Sequence, residues 1–273
     1  MAKELEISIA AEPIFHIGSF TVTNSLLNSW IAVVVIVLIT ILIRRKKITL
    51  VPRGIHNAIE MILEQALNLA DSVTGSREKS IKFLPIVLPL FTFIMINNWL
   101  GLVPGVGSFG FFEKNGGNEV FTPLLRGATA DLNTTLALAV ATVILTHVFG
   151  VLMTGAWSHF NKFVRINLFL ELPRKVFKEK QYMALLINPI NFFVGLVEVA
   201  GEFAKMASLS LRLFGNIFAG EVLMGAIALI FAYILPIPFM FLEILVGAIQ
   251  ALIFSILALV FMSIMSTDHA HEH

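Results

Sequence analysis

Two stretches of this chain are too long and too apolar for a water-soluble fold. Residues 26–43 and 83–112 contain no charged side chain, and a membrane-spanning helix needs about 20 mostly apolar residues. Over the whole chain 57% of residues are hydrophobic and 14% are charged, whereas roughly 25% are charged in a soluble domain. The sequence therefore predicts an all-α, polytopic integral membrane protein.

Three further segments complete a predicted set of five crossings. One span covers about 133–156, and residues 183–233 and 239–266 form a hairpin that Pro236 and Pro238 interrupt. Because residues 183–233 exceed one perpendicular span, we expect a long tilted helix there. We expect one membrane domain in three parts: an outer N-terminal segment (1–25), the first three spans with their connections (26–182), and the tilted hairpin (183–273).

Basic residues mark one side of the predicted membrane. Residues 44–47 read Arg-Arg-Lys-Lys, and residues 157–182 hold six Lys or Arg against two Glu. Positive charges accumulate on cytoplasmic loops, so we expect the N-terminus outside and the C-terminus in the cytoplasm, in a bacterial-type inner membrane. Residues 52–71 place apolar side chains at helical spacing around Glu60 and Glu64, which predicts an amphipathic helix on the cytoplasmic surface.

Several functional classes find no support in the sequence. The chain has no cysteine, which excludes disulfides and thiolate metal sites. Its net charge of +1 gives no reason to expect nucleic acid as a partner. It contains no Gly-rich loop followed by Lys and Ser or Thr that would hold phosphate. We expect no cofactor, no metal and no ATP site on this chain.

The long apolar segment contains a permanent cation. Ionisable residues within spans are energetically costly, and they usually mark ion pathways. Arg212 cannot release its proton at any accessible pH, so it acts as a fixed charge that attracts an anion. The small residues around it would let another helix approach closely, which favours an anionic partner on another subunit. These small residues are Ala207, Ser208, Ser210, Gly215, Ala219 and Gly220.

Other polar residues are distributed around this cation. One helical stripe contains Glu198, Lys205, Arg212 and Asn216. Glu221 lies about 13 Å beyond Arg212 along the helix axis and on the other side of the helix. Glu243 and Gln250 share one face of the last helix, so that Glu243 could approach Glu221 and share protons with it. Structural interpretations remain open for each. Arg212 could pair with a glutamate of its own chain, and Glu198, Glu202 and Lys205 could simply extend to the membrane interface. Glu221 and Glu243 could form a structural proton-sharing pair, Asn216 and Gln250 could join helices, and Asp131 could cap a helix.

Four segments resemble a known family. Residues 208–221 (SLSLRLFGNIFAGE) resemble the signature of subunit a of the F-type ATP synthase, and residues 188–191 (NPIN), 130–136 (ADLNTTL) and 250–254 (QALIF) add supporting similarity. The resemblance implies a stationary, non-catalytic subunit with two offset half-channels, which pass protons to and from a rotating c-subunit ring and so couple ion flow to ATP synthesis. It also implies a b-subunit peripheral stalk, the remaining F1Fo subunits and membrane lipid as partners.

The same resemblance assigns expected roles to individual residues. Arg212 corresponds to the essential arginine that faces the carboxylate of the ring. Glu221, Asn216, Glu243 and Gln250 fall where the family lines its outer half-channel, Glu198 falls near the inner one, and Asp131 lies at the outer entry to the third span. The coupling ion, H⁺ or Na⁺, stays open because the ring supplies the binding carboxylate.

Two other functions remain as alternatives. A stand-alone ion-coupled secondary transporter would need its own site at mid-membrane and commonly shows repeated halves, which this sequence lacks. A purely structural scaffold would leave the ionisable residues of the long apolar segment without a purpose.

Overall fold

The computed structural model describes residues 11–45, 54–103, 105–106, 109–115, 118–164, 184–231 and 234–266. Its helices are α1 (Asn24–Arg44), α2 (Ile55–Thr74), α3 (Arg77–Leu102), α4 (Leu132–Thr154), α5 (Ala156–Val164), α6 (Ala184–Ile230) and α7 (Pro236–Met265), with a short 3-10 helix at Ala128–Ala130. Its strands are β1 (Pro13–Ile17), β2 (Phe20–Thr23), β3 (Gly110–Asn115) and β4 (Asn118–Pro123).

Within the described ranges five helices are long and apolar enough to cross a membrane, which confirms the predicted fold class. They are α1, α3, α4, α7 and the part of α6 between Phe193 and Ile230. The whole of α6 has 47 residues, which corresponds to about 70 Å of helix. Because the hydrocarbon core of a bilayer is only about 30 Å thick, α6 must tilt strongly or extend beyond the membrane.

Helix α3 begins six residues before the uncharged run of residues 83–112. It starts at Arg77, ends at Leu102 and includes both Pro85 and Pro89. Proline is tolerated inside membrane helices because neighbouring groups satisfy the freed carbonyls. The preceding helix, α2, is followed directly by Gly75, which caps its C-terminus. The φ of Gly75 is 67°, a left-handed conformation that suits glycine.

The predicted surface helix is present as α2, three residues later than its expected bounds. Its buried residue Ala70 packs with Phe83, Val87, Leu259 and Met262 of α3 and α7. Its other apolar side chains are exposed, among them Ile55, Met61, Ile62 and Leu69. This division between a packed side and an open apolar side agrees with a helix that lies along the bilayer surface.

Two pairs of antiparallel strands lie at one end of the bundle, and the sequence did not predict them. Strands β1 and β2 pair in the segment before α1 that was expected only to lie outside, and β3 and β4 pair between α3 and α4. The Asn24 side-chain amide donates to the Pro123 carbonyl oxygen at 3.3 Å, and this bond joins the start of α1 to the end of β4. We call this end of the bundle the hairpin end, and the end with α2 and α5 the opposite end.

The centre of the bundle is a core shared by α3, α4, α6 and α7. Its buried members include Ile94, Leu209, Leu213 and Phe254. Helix association within lipid depends on close packing, which small interfacial residues permit. Gly247 is such a residue, since a Cβ placed there would lie 3.1 Å from Cβ of Asn98. Leu209 and Leu213 face this core, and so they set the rotation of α6 and the direction of every other side chain on it.

Candidate functional site

Arg212 lies on the outer face of α6, close to the midpoint of the apolar segment Phe193–Ile230. Its two helical neighbours Leu209 and Leu213 are buried, which directs the guanidinium away from the bundle. Its Nη2 atom donates to Oγ of Ser208 at 3.4 Å. Among the described residues no carboxylate forms an ion pair with Arg212, so the interpretation of this residue as half of an internal salt bridge receives no support.

Small, exposed residues border Arg212 on the outer face of α6. Ser208, Gly215 and Ala219 are exposed beside it, as expected of a face that another helix could approach. Two of the small residues expected there point inward instead. Ser210 is buried, with its hydroxyl 3.2 Å from that of Thr135, and Gly220 is also buried. These two residues therefore serve packing within the chain.

Asn216 and Gln250 form a direct bridge between α6 and α7. Asn216 Nδ2 donates to Gln250 Oε1 at 2.6 Å. The Gln250 side chain is almost fully buried, and its Nε2 atom has no hydrogen-bond partner within the described chain. A buried amide N–H without a partner is unfavourable. The bridge therefore joins the helices and, within the described chain, leaves the two N–H donors of the Gln250 amide available at the level of the turn after Arg212.

Glu221 forms an ion pair with a residue that the sequence interpretation did not include. Arg126 Nε donates to Glu221 Oε1 at 3.0 Å, and Arg126 Nη2 donates to Glu221 Oε2 at 2.9 Å. Arg126 is only 5% exposed, whereas the Glu221 side chain is 34% exposed. Two parallel N–H···O bonds are the geometry in which a guanidinium binds a carboxylate most strongly.

Glu243 occupies a different environment only one helix away. Its carboxyl group lies against Gly220 of α6, where a Cβ would overlap it. Glu243 is 8% exposed, and among the described residues no hydrogen bond or ion pair is formed by its carboxyl group. Gly220 thus provides the space that lets the Glu243 side chain lie between α6 and α7.

Both carboxyl groups line one cavity at the hairpin end. The cavity has a volume of about 260 Å³ and is bordered by Glu221, Glu243, Asn98, Ile217 and Met240, together with glycines of the outer connection. This volume holds several water molecules, since one occupies about 30 Å³ in the liquid. Glu221 and Glu243 therefore face one shared cavity. Direct sharing of a proton is less favourable than expected, because Arg126 occupies the Glu221 oxygens.

Arg126 itself gave one weak signal in the sequence. It is a single basic residue in the outer connection, five residues before the expected helix cap at Asp131. No spacing rule relates an outer loop to a position 95 residues later, so only the folded chain reveals the pair.

Asp131 acts as the N-cap of α4, which was the structural alternative left open for it. It accepts from the backbone N–H of Asn133 at 3.2 Å and from the hydroxyl groups of Thr134 at 3.2 Å and Ser25 at 3.1 Å. It is 4% exposed. An Asp at this position satisfies an otherwise unpaired helix N–H, and the bond from Ser25 also fixes the start of α1.

A second polar cluster lies towards the opposite end. Glu202 accepts from Lys205 Nζ at 2.7 Å, and its other oxygen is 3.5 Å from Nε2 of His147. His147 Nδ1 lies 3.1 Å from Nε2 of His159 on α5. Glu198 is partly exposed one turn before Glu202. The cluster joins α4, α5 and α6, and the sequence offered no reason to include His159 in it. Within the described ranges no three His, Asp or Glu side chains group to hold a metal ion.

Comparison with known proteins shows the family to which the chain belongs. The family model described as ATP synthase A chain matches residues 26–263, a range that contains Arg126 and every predicted site residue. The chain belongs to the ATP synthase A chain family. The match and the five apolar helices together make it a multi-pass membrane protein.

Individual relatives cover almost the whole chain. The chain is 30% identical over 260 residues to ATP synthase subunit a of Moorella thermoacetica, covering 95% of this chain and 96% of the relative. It is 35% identical over 251 residues to subunit a of Mycobacterium bovis, with 90% and 88% covered. It is also 31% identical over 266 residues to the chloroplastic subunit a of Stigeoclonium helveticum, with 97% and 93% covered. Family membership thus extends over bacterial and chloroplast relatives.

Proposed function

We propose that this chain is the stationary ion-conducting subunit of an ATP synthase, with two offset half-channels beside a rotating ring of c subunits. The observation that carries the proposal is the position of Arg212. It is a permanent cation in the middle of an apolar span, on the exposed face of α6, and no carboxylate of the described chain pairs with it.

A charge in this position needs an anion from outside the chain. An arginine at the centre of a membrane helix costs about 2.5–3.5 kcal/mol even on scales that allow for adaptation of the lipid. A carboxylate on an adjacent ring subunit would offset that cost. Because Arg212 favours the ionised form of the carboxylate, each ring site must release its ion before it passes Arg212. The same fixed charge blocks direct leakage between the half-channels.

The cavity at the hairpin end supports an outer half-channel. Glu221 and Glu243 line it, and so does Ile217, which directly follows Asn216 in α6. Asn216 in turn lies one turn after Arg212 and is bonded to Gln250. Polar side chains thus lead from the cavity towards the level of Arg212, where an ion would reach the ring.

An inner half-channel would begin from the opposite end. Glu198 and the cluster around Glu202 lie two to four turns before Arg212 on α6, so the two polar regions are displaced along the helix. This displacement is what a rotary path requires, because an ion must travel with the ring to pass from one region to the other. Asp131 contributes at the outer side instead, where it fixes the start of α4.

Rotation of the ring adds together the free energies released by successive ion crossings. Each elementary charge that crosses 100 mV releases about 2.3 kcal/mol, so the synthesis of one ATP needs several crossings. The proposal therefore includes the c-ring, a b-subunit peripheral stalk and the remaining subunits of the complex as partners. It also includes a bacterial-type plasma membrane with the hairpin end outside and the opposite end in the cytoplasm.

The central experiment replaces Arg212 with Ala and measures ATP-driven proton pumping in membrane vesicles. We expect coupled pumping to be lost while the complex stays assembled, because the substitution leaves the core face of α6 unchanged. The matched control is Arg77→Ala, which removes an exposed arginine paired with Asp71 at the opposite end and should retain pumping. Coupled pumping by Arg212→Ala would refute the proposal.

Purification tests the two alternatives. The proposal predicts that the chain co-purifies in mild detergent with a small hydrophobic ring-forming protein. A monodisperse chain that binds a solute would instead support a stand-alone transporter. A complex in which Arg212→Ala and Glu243→Gln both retain full ion transport would support a structural scaffold.

A further inference from the structure

Arg126 is held in place more firmly than an ordinary loop residue. The residue after it, Gly127, packs against Gly101 at the end of α3, where a Cβ on Gly101 would lie 3.1 Å from Cα of Gly127. The short 3-10 helix Ala128–Ala130 that follows is buried, and Asp131 caps α4 directly after it. The backbone on the C-terminal side of Arg126 is therefore fixed, and its guanidinium is presented to Glu221 at a defined position.

Glu221 and Glu243 face the same cavity with different freedom. Glu221 is bound through both of its oxygens by a buried guanidinium. Glu243 is equally close to the cavity, yet within the described chain nothing donates a hydrogen bond to it. The other residues that line the cavity are uncharged. Glu221 and Glu243 are thus the ionisable groups that line the cavity, and Arg126 binds the first of them.

A proton carrier must exist in both charge states without disrupting its surroundings. Protonation of Glu221 would break its ion pair with the buried Arg126 guanidinium, and disruption of a buried pair is strongly unfavourable. Protonation of Glu243 breaks no such pair. The two carboxyl groups are therefore unequal, although the sequence presents them as a matched pair.

We infer that Arg126 is a positioning residue that binds Glu221 as a fixed counter-charge and leaves Glu243 as the carboxyl group that carries protons through the outer half-channel. The inference rests on the proposed function, because it assigns roles within that half-channel. In the synthesis direction Glu243 accepts one proton from a hydronium ion in the cavity, whose O–H bond breaks as the Glu243 O–H bond forms, and then passes that proton towards the ring. ATP-driven pumping reverses both transfers. Glu221 remains bound to Arg126 throughout.

The test uses the complete ATP synthase in membrane vesicles and compares Glu243→Gln, Glu221→Gln, Arg126→Gln and the double variant Arg126→Gln/Glu221→Gln. The measurement is the initial rate of ATP-driven proton pumping across a range of pH, divided by the amount of assembled complex. Arg126→Lys is the conservative control, because it keeps a cation beside Glu221.

The inference predicts a specific order of rates. Glu243→Gln should slow pumping by about 100-fold, the lower range for loss of a proton-transferring group. Arg126→Gln should slow pumping and change its pH profile, because an unpaired Glu221 then competes with Glu243 for protons. The double variant should recover most of the native rate and pH profile, since it replaces the ion pair with a neutral amide pair. Arg126→Lys should keep the native pH profile.

Two results would overturn the inference. One is a double variant that pumps no faster than Arg126→Gln, because Glu221 would then be needed as a carrier. The other is a greater loss for Glu221→Gln than for Glu243→Gln, a comparison that remains decisive if Arg126→Gln does not assemble. Arg212→Ala separates this inference from the proposed function: if that variant loses pumping while the rate order fails, only the roles of Arg126, Glu221 and Glu243 are overturned.

Discussion

Gly220 provides a sharp test of the position of Glu243. A Cβ built on Gly220 overlaps three atoms of the Glu243 carboxyl group, whereas carbon atoms in contact ordinarily lie about 3.5–4.0 Å apart. Replacing Gly220 with Ala must therefore move that carboxyl group by more than about 1 Å. The Glu243 side chain is flexible at its end, so its displacement relieves the overlap without a shift of the helices.

The expected effect separates transport from stability. A misplacement of about 1 Å can reduce the rate of a catalysed step about 100-fold, so we expect Gly220→Ala to slow proton transfer between about 10-fold and 100-fold. Alanine in a helix is favoured over glycine by roughly 0.5–1 kcal/mol, which offsets the cost of moving the carboxyl group. The complex should therefore assemble normally.

The assay is ATP-driven proton pumping in vesicles, with the amount of assembled complex measured in the same membranes. Gly201→Ala is the matched control, because it makes the same change in α6 at a position where an added Cβ meets nothing within 4 Å. We expect native pumping from that variant. Native pumping by a fully assembled Gly220→Ala complex would refute the reasoning, because it would mean that the present position of the Glu243 carboxyl group is not needed.

Three further predictions concern stability, measured as thermal unfolding of the purified complex. Asn216→Leu should lower the free energy of unfolding by about 1–3 kcal/mol more than Gln250→Leu does, because it leaves the buried Gln250 amide without a partner among the described residues. Equal effects of the two substitutions would contradict the hydrogen bond between Asn216 and Gln250. Asp131→Ala should cost about 1 kcal/mol through loss of the α4 cap while the remaining complex pumps at the native rate per molecule, and a specific loss of pumping would restore Asp131 to the proton path. Gly150→Ala should lower the free energy of unfolding by about 1–3 kcal/mol, since the new Cβ would lie 2.5 Å from Cε1 of His159. An unchanged thermal unfolding transition would rule out this contact between Gly150 and His159.

The membrane architecture was predictable because it depends on composition over long windows. Runs without charge determine where helices cross, and five such helices are present. Arg212 was predictable for a related reason, because a guanidinium in an apolar span is costly enough to have few explanations. Its outward direction was indicated by the small residues around it, whereas the core positions of Leu209 and Leu213 are known only from the structure.

The details of the outer cavity were not predictable, because they depend on contacts between distant parts of the chain. Arg126 meets Glu221 across 95 positions, and no local pattern reports such a contact. The inward direction of Gly220 likewise depends on where the Glu243 side chain lies. The β-hairpins were missed because their strands are short and lie in segments with strong turn signals, where hydrophobic periodicity is weak.

The most direct test of the account is a cross-link between α6 and the ring. The chain has no natural cysteine, so Ala219→Cys places a single thiol on the exposed face two turns after Arg212. A second cysteine is introduced into a ring subunit beside its membrane carboxylate, and disulfide formation is measured after mild oxidation. The control is Ile144→Cys on α4, which is also exposed, at 56%. The account predicts a reversible disulfide from Ala219→Cys that stops ATP-driven pumping, and none from Ile144→Cys. A disulfide from Ile144→Cys alone would contradict it, because Arg212 would then face away from the ring.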